Sequence, residues 1–303
     1  MRPGERATES KLNLSIRSSQ GGQHTITLPA AAQLQQVTIN DAVQQVRQDG
    51  AKISLPITPG KQEVVLEWRE PSGLGIFYTT PRIDLSTGSV NAAIDVTMPP
   101  NRWPLFLGGP LLGPAILYWS VLLVVALVAF ALSKTKLTPL RFYQLFLLGI
   151  GMSMSNLFGC LLVVGWLIAL HFRETMQAER GRSAFNLIQT GLGALTLMAL
   201  MALVWAISRG LLGHPDMNII GNGSNSTILR WYQDVSGQHL PQAWLVSIPM
   251  FAYRLAMLAW ALWISFTLLG LLKWGWKIAS EPMLWDSSPK KKTEDKKEDS
   301  VQP

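Results

Sequence analysis

The residues nearest to nucleophilic chemistry are Ser153, in the run Gly151-Met152-Ser153, and His171. A hydroxyl becomes a nucleophile only beside a base, and these two stand eighteen positions apart. A helix would separate them by more than about 20 Å. Ser153 or Ser155 is therefore expected as a helix N-cap and His171 as an interfacial residue. His24, His171, His214 and His239 show no ligand spacing, and no carboxylate stands close in sequence to Cys160, the single cysteine. No metal site, cofactor or intrachain disulfide is expected, and no catalytic residue. The most specific polar feature is Arg254, a cation inside the last apolar stretch. It is expected either to snorkel to an interface or to pair with Asp216 or Asp234 of the preceding polar loop, beside the aromatic patch Trp231-Tyr232. These five are the candidate structural and interaction residues. Asn222-Gly223-Ser224 and Asn225-Ser226-Thr227 match glycosylation sequons but sit in a turn-forming run.

The elements that must carry these residues fall into two kinds. Residues 115–132 hold no charge and as a helix would rise about 27 Å, close to the hydrocarbon thickness of a bilayer. Further spans are expected at about 184–208 and 254–273, the last bracketed by Arg254 and Lys273. The apolar block 142–171 is too long for one straight span and too short for two. Its centre, Gly149-Ile150-Gly151-Met152-Ser153-Met154-Ser155-Asn156, is rich in breakers and caps, so a helical hairpin is expected over 140–177. Residues 209–242 are expected as a polar loop, and 243–253 as a helical extension beyond the membrane. Twelve tryptophans, gathered mostly at the apolar segments, fit interfacial belts.

Before the first span, apolar residues alternate in short runs: 12–16, 25–28, 36–39, 53–56, 63–68, 76–80 and 92–98. Turn signals such as Gln48-Asp49-Gly50 and Thr58-Pro59-Gly60 divide them, which predicts an antiparallel, jelly-roll-like β-sandwich over 11–101, with Trp68 in its core. The fold class expected is thus α+β: a β-sandwich, then an α-helical transmembrane bundle over 102–283. A disordered lead at 1–10 and a disordered charged tail at 284–303 complete the division. Residues 1–102 carry ten Lys/Arg and nine Asp/Glu, so nearly all of the net charge of +7 comes from the later segments. That distribution bears on membrane orientation and argues against nucleic acid.

The beginning of the sequence shows no apolar leader, so the β domain is expected to be the last portion of a longer exported chain. With the hairpin re-entrant and the β domain outside, the positive-inside rule puts thirteen cations in the cytoplasm against three outside. The opposite arrangement, with the hairpin as one full span, divides them ten to six.

Several segments carry a likeness: Asn101-Arg102-Trp103-Pro104-Leu105, Gly113-Pro114-Ala115-Ile116-Leu117-Tyr118-Trp119, Leu147-Leu148-Gly149-Ile150-Gly151-Met152-Ser153, Val164-Gly165-Trp166-Leu167 and the run from Tyr253 to Trp263. Over roughly residues 10–285 the chain resembles the C-terminal portion of long uncharacterised inner-membrane proteins of Gram-negative bacteria. The resemblance implies an exported β-rich region followed by a membrane anchor, with no activity to carry over. The function expected is a non-enzymatic inner-membrane protein whose partners are the lipid bilayer and other envelope proteins, the β domain periplasmic and the tail cytoplasmic. The alternative is a subunit of a transporter or channel, against which the spans hold no mid-depth Asp, Glu or Lys.

Overall fold

A computed structural model of the chain describes residues 1–135, 137–138, 140–153, 157–175, 182–215 and 217–280. It opens with β1 (Arg2–Pro3), β2 (Thr8–Ser18), β3 (Gly22–Thr27), β4 (Gln33–Ile39), β5 (Ala42–Gln44), β6 (Gln48–Asp49), β7 (Lys52–Ile57) and β8 (Gly60–Glu70). These form two antiparallel sheets, ordered β1-β2-β8-β4-β5 and β3-β7-β6. Strict alternation drives the central strand β8: Val64, Leu66 and Trp68 are at most 1% exposed, while Glu63 and Arg69 face outward. They share one core with Ile26, Ile53 and Leu55, which the other sheet supplies. Asn40 and Asp41, both with positive φ, make the two-residue turn between β4 and β5. Short polar side chains tolerate that conformation, and its twist matches the flanking strands.

A second β unit is assembled from strands on both sides of the helices. It holds β9 (Phe77–Thr79), β10 (Ser89–Thr97), β11 (Arg102–Gly108) and β12 (Ala115–Ile116), and later β13 (Ile219–Ile220), β14 (Ile228–Ser236) and β15 (Trp244–Pro249). β10 pairs with β14, β15 lies between β11 and β9, and β12 pairs with β13, all antiparallel. Val96, Leu229, Trp231, Leu245 and Met217 form its core.

Several expectations are corrected here. The lead 1–10 is ordered, because β1 and the start of β2 form a hairpin. The β region does not stop at 101: β11 continues it into the stretch assigned to the transmembrane bundle, and residues 219–249 return to the sheets. Consequently 209–242 is not simply a loop, and 244–249 is a strand rather than a helical extension. Pro249 ends that strand and the helix begins at Met250.

The helices are α1 (Tyr118–Lys134), α2 (Phe142–Ser153), α3 (Leu157–Thr175), α4 (Arg182–Leu212) and α5 (Met250–Ser280). The first starts later than expected because Ala115 and Ile116 pair with β13. At 17 residues it rises only about 26 Å, short of the roughly 30 Å hydrocarbon layer. By contrast 184–208 and 254–273 underestimate α4 and α5, each 31 residues long. Among the described residues, two helical segments, Phe185–Leu212 and Met250–Ser280, are long and apolar enough to cross a membrane. All five helices share a core that includes Ala129, Leu148, Trp166, Leu167, Leu203 and Trp260.

Between α1 and α4 the chain folds back on itself. Phe142 meets Phe130 at the far end of α1, with ring centroids 6.3 Å apart. The other limb ends with Arg173 donating to Gln189 of α4, whose amide in turn donates to the carbonyl of Ala279 near the end of α5. Both outer limbs of the α2–α3 pair therefore lie at the end of the helices remote from the sheets. The turn expected between them, 154–156, and the tail 284–303 lie outside the described residues.

Candidate functional site

The proposed nucleophile and base do not meet. Ser153 Oγ donates to the carbonyl of Ile150 at 2.9 Å, one turn back on its own helix, while His171 lies near the opposite end of α3, its ring beside Phe172. His239 Nδ1 stands 3.8 Å from Asp84 Oδ2, but no cluster of three metal-ligating side chains occurs among the described residues.

The five interaction candidates separate into two places. Trp231 and Tyr232 are neighbours on β14, and alternation sends them to opposite faces. Trp231 is 2% exposed, opposite Ile94, and Gly113 packs on its ring so closely that a Cβ there would collide. It is core, not contact surface. Tyr232 keeps its hydroxyl outside, donating to Asn91 Oδ1 at 2.6 Å. Asp234 is exposed near the end of the same strand. Arg254 is exposed in the first turns of α5, a different element, and no ion pair joins it to Asp234. Asp216 lies outside the described residues.

Two polar anchors were not singled out in the sequence. Arg102, in the run from Asn101 to Leu105, donates to the carbonyl oxygens of Gly75 and Ser247 and to Ser247 Oγ. It thus ties β11, β15 and the approach to β9 together where α5 begins. Arg173 is 5% exposed, with its guanidinium 4.9 Å from the Phe185 ring centroid as well as bonded to Gln189. Neither could be found locally, since each is defined by partners on distant segments. Within the sandwich, burial raises the pKa of Glu70, although the Trp68 indole donating to it at 2.9 Å works the other way. Burial, with the Glu70 carboxylate adding, pushes Tyr78 up to about 12.

A cleft of about 1190 Å³ lies between the two β units. One wall is β2 from Lys11 to Ser18, the other is the stretch from Thr87 to Asp95 that includes β10, and Met1 closes one end. Its floor carries Leu12, Leu14 and Ile16, with Ile83 and Leu85 behind them. The volume exceeds the roughly 300–1,000 Å³ of small-molecule pockets, and its walls are strand edges rather than converging catalytic groups. No family model matches the chain, and no match was found among curated proteins or solved structures.

Proposed function

We propose that the chain is a non-enzymatic, multi-pass protein of the bacterial inner membrane that holds its β region in the periplasm as a scaffold or assembly component of the envelope. The carrying observation is the outer face of the two long helices. Leu197, Met201 and Val204 of α4 and Leu258, Leu262 and Phe266 of α5 are 47–75% exposed. Water-soluble monomers rarely present contiguous apolar surface beyond a few hundred Å², whereas a lipid environment favours it.

Connectivity supports a single location for the sheets. β12 leads into α1, its partner β13 follows α4, and β15 leads into α5, so three helix ends meet the β region at one end of the helices. Lys134, Arg141, Arg173 and Lys277 gather toward the opposite end, which under the positive-inside rule favours the cytoplasm for that end. Lys134 over Phe130 and Arg209 over Trp205 are contacts suited to the two interfaces.

Cysteine labelling tests this reading. In a Cys160→Ala background, an impermeant maleimide added to intact cells should label Ser226→Cys, at the exposed turn before β14, and not Thr135→Cys, after α1. The reverse pattern would overturn the orientation, and recovery of the protein in the soluble fraction would overturn the membrane assignment.

A further inference from the structure

We infer that the slot between α3 and α4 holds an anionic phospholipid, its acyl chain along the slot and its phosphate on the guanidinium of Arg173. The inference rests on the membrane reading above but not on which side of the membrane the sheets occupy.

A buried cation short of partners marks the head of the slot. Arg173 is 5% exposed, and its Nη2 is buried without a hydrogen-bond partner. Its Nε donates to Gln189 Oε1 at 3.2 Å, and the Phe185 ring centroid lies 4.9 Å from its Cζ. Neither of these neighbours carries a negative charge. Gln189 is committed at both ends, because its Nε2 donates to the carbonyl of Ala279 at 2.7 Å. A buried charge is tolerated when an opposite charge and matching acceptors accompany it. The planar fork of arginine suits the paired oxygens of an oxyanion, phosphate among them.

The walls beside Arg173 are apolar. α4 supplies Ile188, Gly191, Leu192 and Leu195, the spacing of one helical face, and α3 supplies Ala169 and Phe172. Together they bound about 380 Å³, within the roughly 300–1,000 Å³ of ligand sites. Gly191 keeps the space open, since a Cβ there would meet nothing within 4 Å. Phe172 is 52% exposed and Ile188 is half-buried, so the slot is reached from the outer surface of the helices rather than from their shared core.

The order of these groups along the helices selects the occupant. Gln189 bonds to Ala279, one residue before the end of α5, so Arg173 stands at the helix ends, the level of lipid headgroups. From Ile188 to Leu195, α4 rises about 10 Å away from that end, and α3 runs back from Arg173 to Ala169 in the same direction. A charge at the helix ends followed by an apolar slot leading inward fits a molecule with an anionic head and a hydrocarbon tail. A free anion would leave the slot unfilled, and a neutral apolar molecule would leave Nη2 unpaired. Basic pockets between helices at a membrane face take phospholipid headgroups in this manner.

The probe is phosphatidylglycerol with a photoactivatable diazirine on one acyl chain, added to the full chain in detergent, its crosslinks located by peptide mass spectrometry. Crosslinks are expected in the peptides that hold Ala169 and residues 188–195. Unlabelled phosphatidylglycerol should displace the probe at a concentration about fivefold below that of phosphatidylcholine, whose headgroup has no net charge, and inorganic phosphate should not displace it. Gly191→Leu fills the slot without touching the guanidinium and should cut crosslinking at least about fivefold. Arg173→Gln should erase the preference between the two lipids; if that variant fails to fold, Gly191→Leu and the competition decide by themselves. An arginine with a purely structural role would leave the crosslinks indifferent to Gly191→Leu. That indifference, crosslinks spread over all the helices, equal displacement by the two lipids, or displacement by inorganic phosphate would each overturn the inference. Loss of the localised crosslinks with the cysteine-labelling pattern intact removes the slot alone, whereas recovery of the protein in the soluble fraction removes the membrane reading and the slot with it.

Discussion

The indole of Trp260 donates to the carbonyl oxygen of Leu147 at 2.8 Å and fills the space a side chain at Gly151 would need. This contact joins α5 to the inner limb of the hairpin and explains the glycine there by close approach rather than by turn formation. Gly151→Ala must displace the ring and break the bond, so a loss of about 1–3 kcal/mol is expected. Gly165→Ala, where an added methyl would meet nothing within 4 Å, serves as the comparison and should not destabilise the chain. Unfolding in a denaturing detergent, followed by tryptophan fluorescence, measures both.

Trp231 and Tyr232 should behave oppositely to their expectation as a joint contact patch. Trp231→Ala removes a nearly fully buried ring and should cost about 3–5 kcal/mol. Tyr232→Phe gives up one hydrogen bond at the surface and should cost no more than about 1 kcal/mol. Thermal unfolding of the full chain distinguishes them.

Arg254 and Asp234 should act independently. They sit on different elements without an ion pair, so Arg254→Ala and Asp234→Ala should combine additively to within about 0.5 kcal/mol in a double-mutant cycle. A coupling clearly above that figure would contradict the observed separation.

Glu70 supplies a pH dependence. Its folded-state pKa is raised by burial above the ordinary 4.5, so the folded protein retains a proton that the unfolded chain has released. Stability therefore falls as pH rises from about the ordinary value through the raised one, and this contribution is flat beyond it. Glu70→Gln keeps an oxygen for the Trp68 indole and should remove that slope, lifting the unfolding midpoint at neutral pH by roughly 1–2 °C. The difference should vanish on acidification, as judged by melting curves across that range.

The strands before the helices were legible because each alternates over a few residues and ends in a turn signal; β8 shows this in Val64, Leu66 and Trp68. The later strands were hidden by their neighbourhood. In β15, Trp-Leu-Val-Ser-Ile runs straight into an apolar helix, and only Pro249 marks the change. In β11, Pro104 stands at a register irregularity where a missing N–H is tolerated. The strand β14 reads as polar loop because its partner is remote: Tyr232 bonds to Asn91 across 141 positions. Trp231 and Tyr232 do not form one patch for a related reason, since sequence proximity on β14 conceals that they face opposite ways.

The interleaving of β10 and β11 with β14 and β15 has a consequence for biogenesis. A ribosome delivers the first pair of strands well before the second, and four helices must be made in between. Until the last of those helices has emerged, half of the second unit waits without its hydrogen-bonding complement and is vulnerable to proteases or to pairing with the wrong chain. Completion of the sheet thus waits on the helices made between its two halves, so the second unit closes only after the chain has returned from them.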